Sequence, residues 1–576
     1  MDFLRDLATR HGLTQDITLH TRRIQPDFNA KHKRESMTTV RKNFGPRHGF
    51  FSVTLPTSED ASLHELKRMS NQHQSEPKRR PVDTVTDKDI DPTVLKLPLP
   101  GPPELPDHLD GSALLFGTAT TYSRLVASNA SLLHDWARWL TDGQGRSNGA
   151  GLLLVLHRAS ASEVGHVSSK VRELGIDATV TSSGMGEVVG GSSPDSDSTW
   201  IYLELVGQLA RHAREITSKN KEVGKSERRK EKKYLGLMDD DVFFPSMNRL
   251  LARLGQLDPA KDAYVGLPSE KADWAVTEGA NVTTTYGGGA VFLTRPMADA
   301  ISKMPCARQL PEQPPTTSGQ WDERLYQCIM AHHNSRLRIM SSFYTPEDDN
   351  DNENDDDSYE SGLQPLKLHH CRQRHQRFSP SRAHLITSLT GEGSFLQRFW
   401  FRGDDWILVN GHSVAEYPDG VDVVPPSKAS RRKSPPVLIT QQPQDLIYDT
   451  DKNDIGTKDE IKISKSNIGR GENGAVDGRL ASRITIDSDA AQKQERKGKK
   501  VVTWTGVKRI WRHLDSKIVR DEAGAVKEVW QAYAKRAGAV QLEHDHDGFD
   551  PSDTVHREDG VSNLDSVILL IWERPS

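Results

Sequence analysis

A chain of 576 residues is too long for one compact core, and a hydrophobic content of 35% is low for its length, so two domains or one domain with long insertions is expected. The net charge of -4 provides no basic field for nucleic acid, and three cysteines are too few for a disulfide scaffold. No segment approaches the roughly 18 consecutive apolar residues of a membrane span, and the polar start is no signal peptide.

Residues 1–109 are polar and proline-rich, with the basic pieces KHKR and EPKRR and the run LPLPGPPELP. Runs of proline favour extended chain. We therefore predict a partly ordered stem that ends in an extended linker.

From Ser112 onward, apolar runs typical of buried strands alternate with segments of helical periodicity. SALLFGTATTYSRL predicts a strand that leads into a threonine-rich turn, and GLLLVLHR and DATVTS predict further strands; LLHDWARWL, VSSKVRELGI and the long segment from Trp200 predict helices. Trp136 and Trp139 recur at helical spacing and are expected in the core. This alternation predicts an α/β fold with a mostly parallel central sheet.

The segment KYLGLMDDDVFFPSMNRL, residues 233–250, is the most informative in the chain. An apolar run ends in Asp239, Asp240 and Asp241, which predicts a buried strand with three carboxylates at its end. Adjacent carboxylates repel one another unless a cation or hydrogen bonds neutralise them. A hard divalent ion, Mn2+ or Mg2+, fits oxygen ligands and commonly bridges to phosphates. The alternative is a solvated acidic loop.

The second half of the chain contains two segments whose composition predicts disorder. Residues 345–360 are an acidic, low-complexity insertion, and residues 425–500 are rich in Lys, Ser, Asp and Gln. Around the second segment, residues 395–424 and 501–576 return to apolar and aromatic patterns. They predict a small β-rich C-terminal appendage whose last strand closes the fold.

Seven motifs, in this order, resemble the Fringe-like glycosyltransferases of family 31, the inverting β-1,3-transferases, and in particular their fungal branch. They are FGTATTYSRL, W-x-x-W-L, YLGLMDDDVFFPS, YVGLPSE, YGGGAVFLTRP, WDERLYQC and LHH. The resemblance implies a catalytic domain of the GT-A type over residues 110–385. It also implies transfer of a hexose, galactose or N-acetylglucosamine, from UDP-Gal or UDP-GlcNAc to a hydroxyl of a glycan or glycoprotein, forming a β-1,3 linkage.

The resemblance also implies a metal site. One aspartate of the family's motif faces the ribose or sugar and the last one ligates Mn2+, which correspond here to Asp239 and Asp241, with Asp240 between them. A distal histidine completes the site, and LHH assigns it to His369 or, as the second choice, His370. Imidazole together with carboxylates suits Mn2+.

An inverting displacement needs a base that takes the proton of the acceptor hydroxyl. The family carries an acidic pair between the glycine-rich segment and the histidine, and Asp322 and Glu323 occupy that position as Asp-Glu in place of the usual Asp-Asp. We expect Asp322 to be the base, because Glu323 would point the other way if the segment is extended. The alternative is a helix N-terminus, where acidic residues are favoured by the dipole.

Further donor contacts are expected from two other segments. Gly287, Gly288 and Gly289 allow backbone to approach a ligand closely, which suits a sugar-binding wall. Thr120, Thr121 and Arg124 follow the first strand, where sheet topology favours nucleotide contacts. Asp239 and Asp240 of the aspartate motif are expected to contact the nucleotide sugar as well.

Two other functions remain open from the sequence. A metal-dependent nucleotidyl or phosphoryl transferase also uses paired carboxylates, and a catalytically inactive relative would serve as a glycan-binding or interaction module. Family members are type II membrane proteins of the Golgi. Because this chain lacks the N-terminal anchor, a truncated gene model is expected, and Asn129 and Asn281 are candidates for N-glycosylation.

Overall fold

The computed structural model contains two large β-sheets joined by a shared apolar core. It describes residues 2–28, 51–54, 79–86, 90, 94–99, 109–183, 194–222, 231–267, 289–307, 320–333, 335, 337–343, 357–360, 362, 364–369, 379–402, 406–417, 421–424, 437–439, 447–448, 461–462, 485–486, 500–504, 509–537 and 564–575. Most of the predicted disordered segments, 345–360 and 425–500, lie outside these residues.

The first sheet, here called the central sheet, carries the aspartate motif. Its strands lie side by side in the order Ala178–Ser183, Gly151–His157, Leu114–Thr120, Tyr234–Met238, Ala290–Thr294, Tyr264–Gly266, Leu337–Met340 and Ile447–Tyr448. The first four are parallel neighbours, and Ala290–Thr294 is antiparallel to both of its neighbours. The predicted α/β fold with a mostly parallel central sheet is confirmed.

Helices cover both faces of the central sheet because its strands are apolar on both faces. In the strand Leu114–Thr120, Phe116 packs in one core with Trp136 and Trp139, whereas Leu115 packs in another with Leu205. Trp136 and Trp139 therefore lie in the core, as expected. The helices associated with this sheet are Tyr122–Leu140, Ala161–Glu173, Pro194–Glu222, Met247–Leu254, Arg295–Ile301 and Trp321–His332.

The second sheet, here called the terminal sheet, contains strands from both ends of the chain. Its order is Phe51–Thr54, Arg398–Arg402, Trp406–Val409, Ser413–Glu416, Arg509–Arg520, Val526–Lys535, Asp565–Glu573, Asp16–Asp27 and Arg79–Pro81, and Val94–Pro98 also pairs with Asp16–Asp27. The predicted β-rich appendage is thus present but larger than expected.

The segment Asp16–Asp27 forms a strand of the terminal sheet, whereas the sequence predicted a partly ordered stem for residues 1–109. It pairs in parallel with Asp565–Glu573, and its residues Ile17 and Ile24 are buried. The preceding helix, Asp2–His11, is anchored by an ion pair of 2.6 Å between Arg10 and the buried Asp515. The apolar partners of this polar segment lie at the other end of the chain, which local composition does not reveal.

Shorter elements complete the described structure. The helices are Asp357–Glu360, Pro380–Ala383 and Thr387–Thr390, the 3-10 turns are Val82–Thr84, Pro305–Ala307, Ser341–Phe343, His384–Ile386 and Glu392–Ser394, and the strands are Val421–Val424, Val437–Ile439, Ile461–Lys462, Thr485–Ile486 and Lys500–Trp504. Among the helices that the structure describes, none has the length and apolar character needed to cross a bilayer.

Two histidines are buried as neutral rings in different parts of the core. His384 shares a hydrogen bond of 2.7 Å between its Nε2 and the carbonyl of Pro245, and His513 shares one of 2.7 Å with the hydroxyl of Ser516. Burial, the main cause, lowers the pKa of each imidazole from 6.5 to about 3, and the nearby Arg138 adds to the effect at His384.

We therefore expect the protein to begin losing stability at about pH 6.5, before most carboxylates titrate. Between pH 6.5 and about 3 the unfolded chain binds protons at these rings and the folded protein does not, so the free energy of unfolding falls by about 1.4 kcal/mol per pH unit for each ring. Urea unfolding at pH 7 and pH 5 measures this loss. His384→Gln should reduce the pH dependence, and equal stability of the wild type at the two pH values would contradict the expectation.

Candidate active site

The three aspartates lie at the carboxyl edge of the central sheet, directly after the strand Tyr234–Met238. In parallel α/β sheets, ligands bind in the crevice at this edge. The adjacent parallel strand Leu114–Thr120 ends there too, and the antiparallel strand Ala290–Thr294 begins there. Three strand ends therefore surround the motif.

Asp239, Asp241 and His369 converge on one point. The Nε2 atom of His369 lies 3.2 Å from Oδ2 of Asp239 and 3.0 Å from Oδ1 of Asp241. The side chains of His369 and Asp241 are 3% and 5% exposed, whereas that of Asp239 is 30% exposed. The histidine is thus buried between two carboxylates, one of which reaches the surface.

Backbone pairing brings the distant histidine to the motif. The amide of Phe243 donates to the carbonyl of Leu368 at 2.9 Å, and the amide of Leu368 donates back to the carbonyl of Phe243 at 2.8 Å. Leu368 is fully buried, so this apolar residue anchors the neighbouring His369 at the carboxylates.

Gly289 makes room for the imidazole. Its φ is +73°, a conformation that favours glycine, and its carbonyl accepts a hydrogen bond of 2.8 Å from the amide of Asp239. A Cβ atom at this position would lie 2.4 Å from Nδ1 of His369. A side chain here would displace the histidine.

Asp240, the middle residue of the motif, points away from this group and forms a half-buried ion pair with Arg124. Its Oδ2 accepts hydrogen bonds from the Thr120 hydroxyl and, at 2.6 Å, from Nε of Arg124. Burial raises the pKa of the Asp240 carboxyl, and the bonds from Arg124 and Thr120 oppose that rise. Asp240 therefore holds Arg124, whose side chain is 43% exposed, at the edge of the site.

The predicted donor contacts Thr120, Thr121 and Arg124 are thus distributed over three environments. Thr120 is buried against Asp240, and Thr121 caps the helix Tyr122–Leu140 by accepting the amide of Arg124 at 3.3 Å. The Arg124 guanidinium also lies 3.7 Å from Asp241. It is the member of this group that combines a positive charge with exposure beside the aspartates.

The donor set fits a hard divalent cation. Two carboxylates and an imidazole suit Mn2+, and adjacent ligands about 2.1 Å from an octahedral ion lie about 3 Å apart, close to the separations found here. In the described part of the chain, no three or more His, Cys, Asp and Glu side chains are already arranged around a space that could hold a metal ion. The imidazole nitrogen itself contacts both carboxylates.

Asp322 and Glu323 occupy the first turn of the helix Trp321–His332, so the segment is helical and not extended. The Asp322 side chain is buried, and its Oδ1 accepts the amide of Glu323 at 2.9 Å. Glu323 is partly exposed and accepts a bond of 3.2 Å from Gln327, one helical turn further on. Trp321, next to Asp322, contacts Asp239 directly, so the start of this helix borders the aspartate motif.

Several predicted residues cannot be located in the site. Gly287, Gly288, His370 and Asn281 lie outside the described residues. Asn129 belongs to the helix Tyr122–Leu140, and its side chain is outside the described part as well.

The disulfide Cys306–Cys328 links the helix that carries Asp322 to the segment that follows Arg295–Ile301. Three cysteines alone did not predict which two pair. Cys371 lies outside the described residues.

Sequence reasoning missed two aromatic residues at the site. The hydroxyl of Tyr202 donates to the carbonyl of Met238 at 3.0 Å, and the indole N–H of Trp321 donates to Oδ1 of Asp239 at 2.6 Å. A second indole, that of Trp136, donates to the carbonyl of Asp240 at 3.0 Å, in addition to the core role expected for it. Trp321 directly precedes the predicted acidic pair in the sequence, so its position could have indicated a place near the site. Nothing in the sequence around Tyr202 distinguishes it from other residues of its helix.

No protein-family model matches the sequence, and a search of curated proteins found no match. Among solved structures, the chain is similar to the galactosyltransferase LgtC in complex with donor and acceptor sugar analogues, with 12% identity over 40% of this chain and 74% of that chain and a TM-score of 0.26. It is similar to mouse xyloside xylosyltransferase 1, with 11% identity over 44% and 96% and a TM-score of 0.25. It is also similar to the glycosyltransferase GlyE of Streptococcus pneumoniae, with 12% identity over 45% and 54% and a TM-score of 0.24.

Proposed function

We propose that this protein is an inverting, metal-dependent glycosyltransferase of the Fringe-like family 31 type, which transfers galactose or N-acetylglucosamine from its UDP donor to a glycan hydroxyl through a β-1,3 linkage. One observation carries the proposal. Asp239, Asp241 and His369, which the motifs nominated from segments far apart in the chain, come together within 3.2 Å at the carboxyl edge of the sheet. A solvated acidic loop would not bury Asp241 and His369.

The residues of the site support distinct roles in such a reaction. Asp239, Asp241 and His369 would hold Mn2+ or Mg2+, which when bound supplies positive charge to the departing diphosphate. Arg124, fixed by Asp240, would add a second positive charge at the diphosphate. Asp322 would accept the proton of the acceptor hydroxyl. At the same time the oxygen of that hydroxyl would bond to the anomeric carbon of the donor sugar, and the bond between the sugar and UDP would break.

The disulfide Cys306–Cys328 supports an oxidising compartment, in agreement with the Golgi lumen that the family resemblance implies. A glycan or glycoprotein acceptor would meet the enzyme there. Anchoring to the membrane and glycosylation at Asn129 and Asn281 belong to the same proposal.

The test is turnover across a panel of UDP-sugars, by hydrolysis and by transfer to glycan acceptors, with and without Mn2+. We expect Mn2+-dependent turnover of one donor. Asp322→Asn should lower it by about 100-fold or more, because general-base catalysis contributes typically 10²–10⁴-fold. Glu323→Gln, a change at the neighbouring, partly exposed carboxylate, is the matched control and should leave turnover within a few-fold of the wild type.

Other outcomes would contradict the proposal in different ways. Mn2+-dependent UDP binding without turnover of any donor would favour the inactive glycan-binding module. Absence of UDP binding would contradict the assignment of the site itself.

A further inference from the structure

Two aromatic residues from separate helices form a stacked pair beside the aspartate motif. Tyr202 belongs to the helix Pro194–Glu222, and Trp321 is the first residue of the helix Trp321–His332. Their rings lie 4.5 Å apart with an interplanar angle of 13°, and the two residues are 5% and 8% exposed. Burial and stacking leave both rings little freedom to turn.

The Tyr202 hydroxyl joins the ends of two neighbouring strands. It lies 3.0 Å from the carbonyl oxygen of Met238, the residue before Asp239, and 3.3 Å from the carbonyl oxygen of Ala119. It also accepts the amide of Ala119 at 3.4 Å. The tyrosine is thus fixed relative to the backbone from which the aspartates project.

Trp321, stacked on the Tyr202 ring, orients the carboxylate of Asp239. Its indole N–H donates to Oδ1 of Asp239 at 2.6 Å, and the other oxygen, Oδ2, lies 3.2 Å from Nε2 of His369. A carboxylate held at one oxygen by a rigid donor cannot rotate freely about its terminal bond. The indole therefore determines which oxygen of Asp239 faces His369 and Asp241.

We propose that Trp321 is a positioning residue for Asp239, with Tyr202 as the platform that holds its ring, and that the pair couples the start of the Asp322 helix to the cation-binding carboxylates. This inference rests on the proposed function. Hydrogen-bond partners that orient a metal ligand typically change metal affinity or activity by 10–100-fold when they are removed.

The experiment measures Mn2+ affinity in the presence of UDP by the electron paramagnetic resonance signal of free Mn2+, so it requires no turnover. Trp321→Phe keeps an aromatic ring for stacking and removes the indole donor, and we expect it to weaken Mn2+ binding by about 10-fold or more. Tyr202→Phe, which removes the hydroxyl and keeps the stacking, should have a smaller effect in the same direction. Trp530→Phe, in the terminal sheet, is the control for loss of a tryptophan and should bind like the wild type.

A double-mutant cycle separates positioning from general loss of structure. If Trp321 acts through Asp239, adding Trp321→Phe to Asp239→Ala should leave the Mn2+ affinity of the single Asp239 variant almost unchanged. An additive loss, or wild-type affinity in Trp321→Phe alone, would overturn the inference while the proposed function stands. A wild-type protein that binds no Mn2+ with UDP would instead overturn the proposed function, and this inference with it.

Discussion

Asp241→Asn is expected to lower kcat/KM for the sugar nucleotide by at least about 100-fold and to leave the fold intact. The amide has the size of the carboxylate but no negative charge, so it is a poor ligand for a hard cation, and a cation at a departing diphosphate contributes several kcal/mol of transition-state stabilisation. Each 1.36 kcal/mol corresponds to about a tenfold change in rate. Steady-state kinetics over a range of Mn2+ concentrations, with Tm measured in parallel, test this expectation.

The control is Asp258→Asn, which makes the same chemical change at a side chain that is 50% exposed and remote from the motif. It should retain wild-type kinetics. Activity of Asp241→Asn within a few-fold of the wild type would be incompatible with a role for this carboxylate in cation binding.

Glu392→Ala is expected to lower the free energy of unfolding by about 3 kcal/mol. The carboxylate is buried, and its Oε2 accepts bonds of 2.9 Å from the hydroxyl of Ser246 and of 3.1 and 3.2 Å from the amide and side chain of Asn248. It thereby satisfies donors at the start of the helix Met247–Leu254, which follows the aspartate motif. Alanine would leave these donors buried without their acceptor.

Urea unfolding measures the loss. Glu392→Gln keeps the size and one acceptor oxygen, and because burial already raises the pKa of this carboxyl, the neutral amide should cost less, about 1 kcal/mol. Equal destabilisation by Ala and Gln would indicate that charge and not hydrogen bonding matters, and wild-type stability of the alanine variant would contradict the expectation.

The parts of the site that could be predicted are those encoded in short segments. Three aspartates after an apolar run indicate a strand end, because that pattern is local. The family resemblance, and not the distance along the chain, assigned the distal histidine to the LHH segment. The α/β alternation likewise fixed the fold class, because each strand and helix carries its own periodicity. Burial of His369 against Gly289 then follows from the pairing of Phe243 with Leu368.

The parts that could not be predicted depend on contacts between segments far apart in the chain. Tyr202 lies in an amphipathic helix, and the apolar pattern of that helix does not tell whether the tyrosine hydroxyl contacts a strand end or solvent. Glu392 is an isolated acidic residue until Ser246 and Asn248 lie beside it. The helical start at Trp321 was weighed as an alternative for the acidic pair, but local pattern alone did not decide between helix and extended chain.

The pairing of Asp16–Asp27 with Asp565–Glu573 has a consequence for the time course of biosynthesis. Asp565 lies 551 positions after Thr14, its hydrogen-bond partner. At roughly 5–20 residues per second, the ribosome needs roughly 30 to 110 s to deliver the second strand after the first. During that interval the first strand presents an unpaired edge, which is a template for association with other chains. Completion of the terminal sheet is therefore a late event in synthesis, and the nascent chain depends on protection of that edge until Asp565–Glu573 has been made.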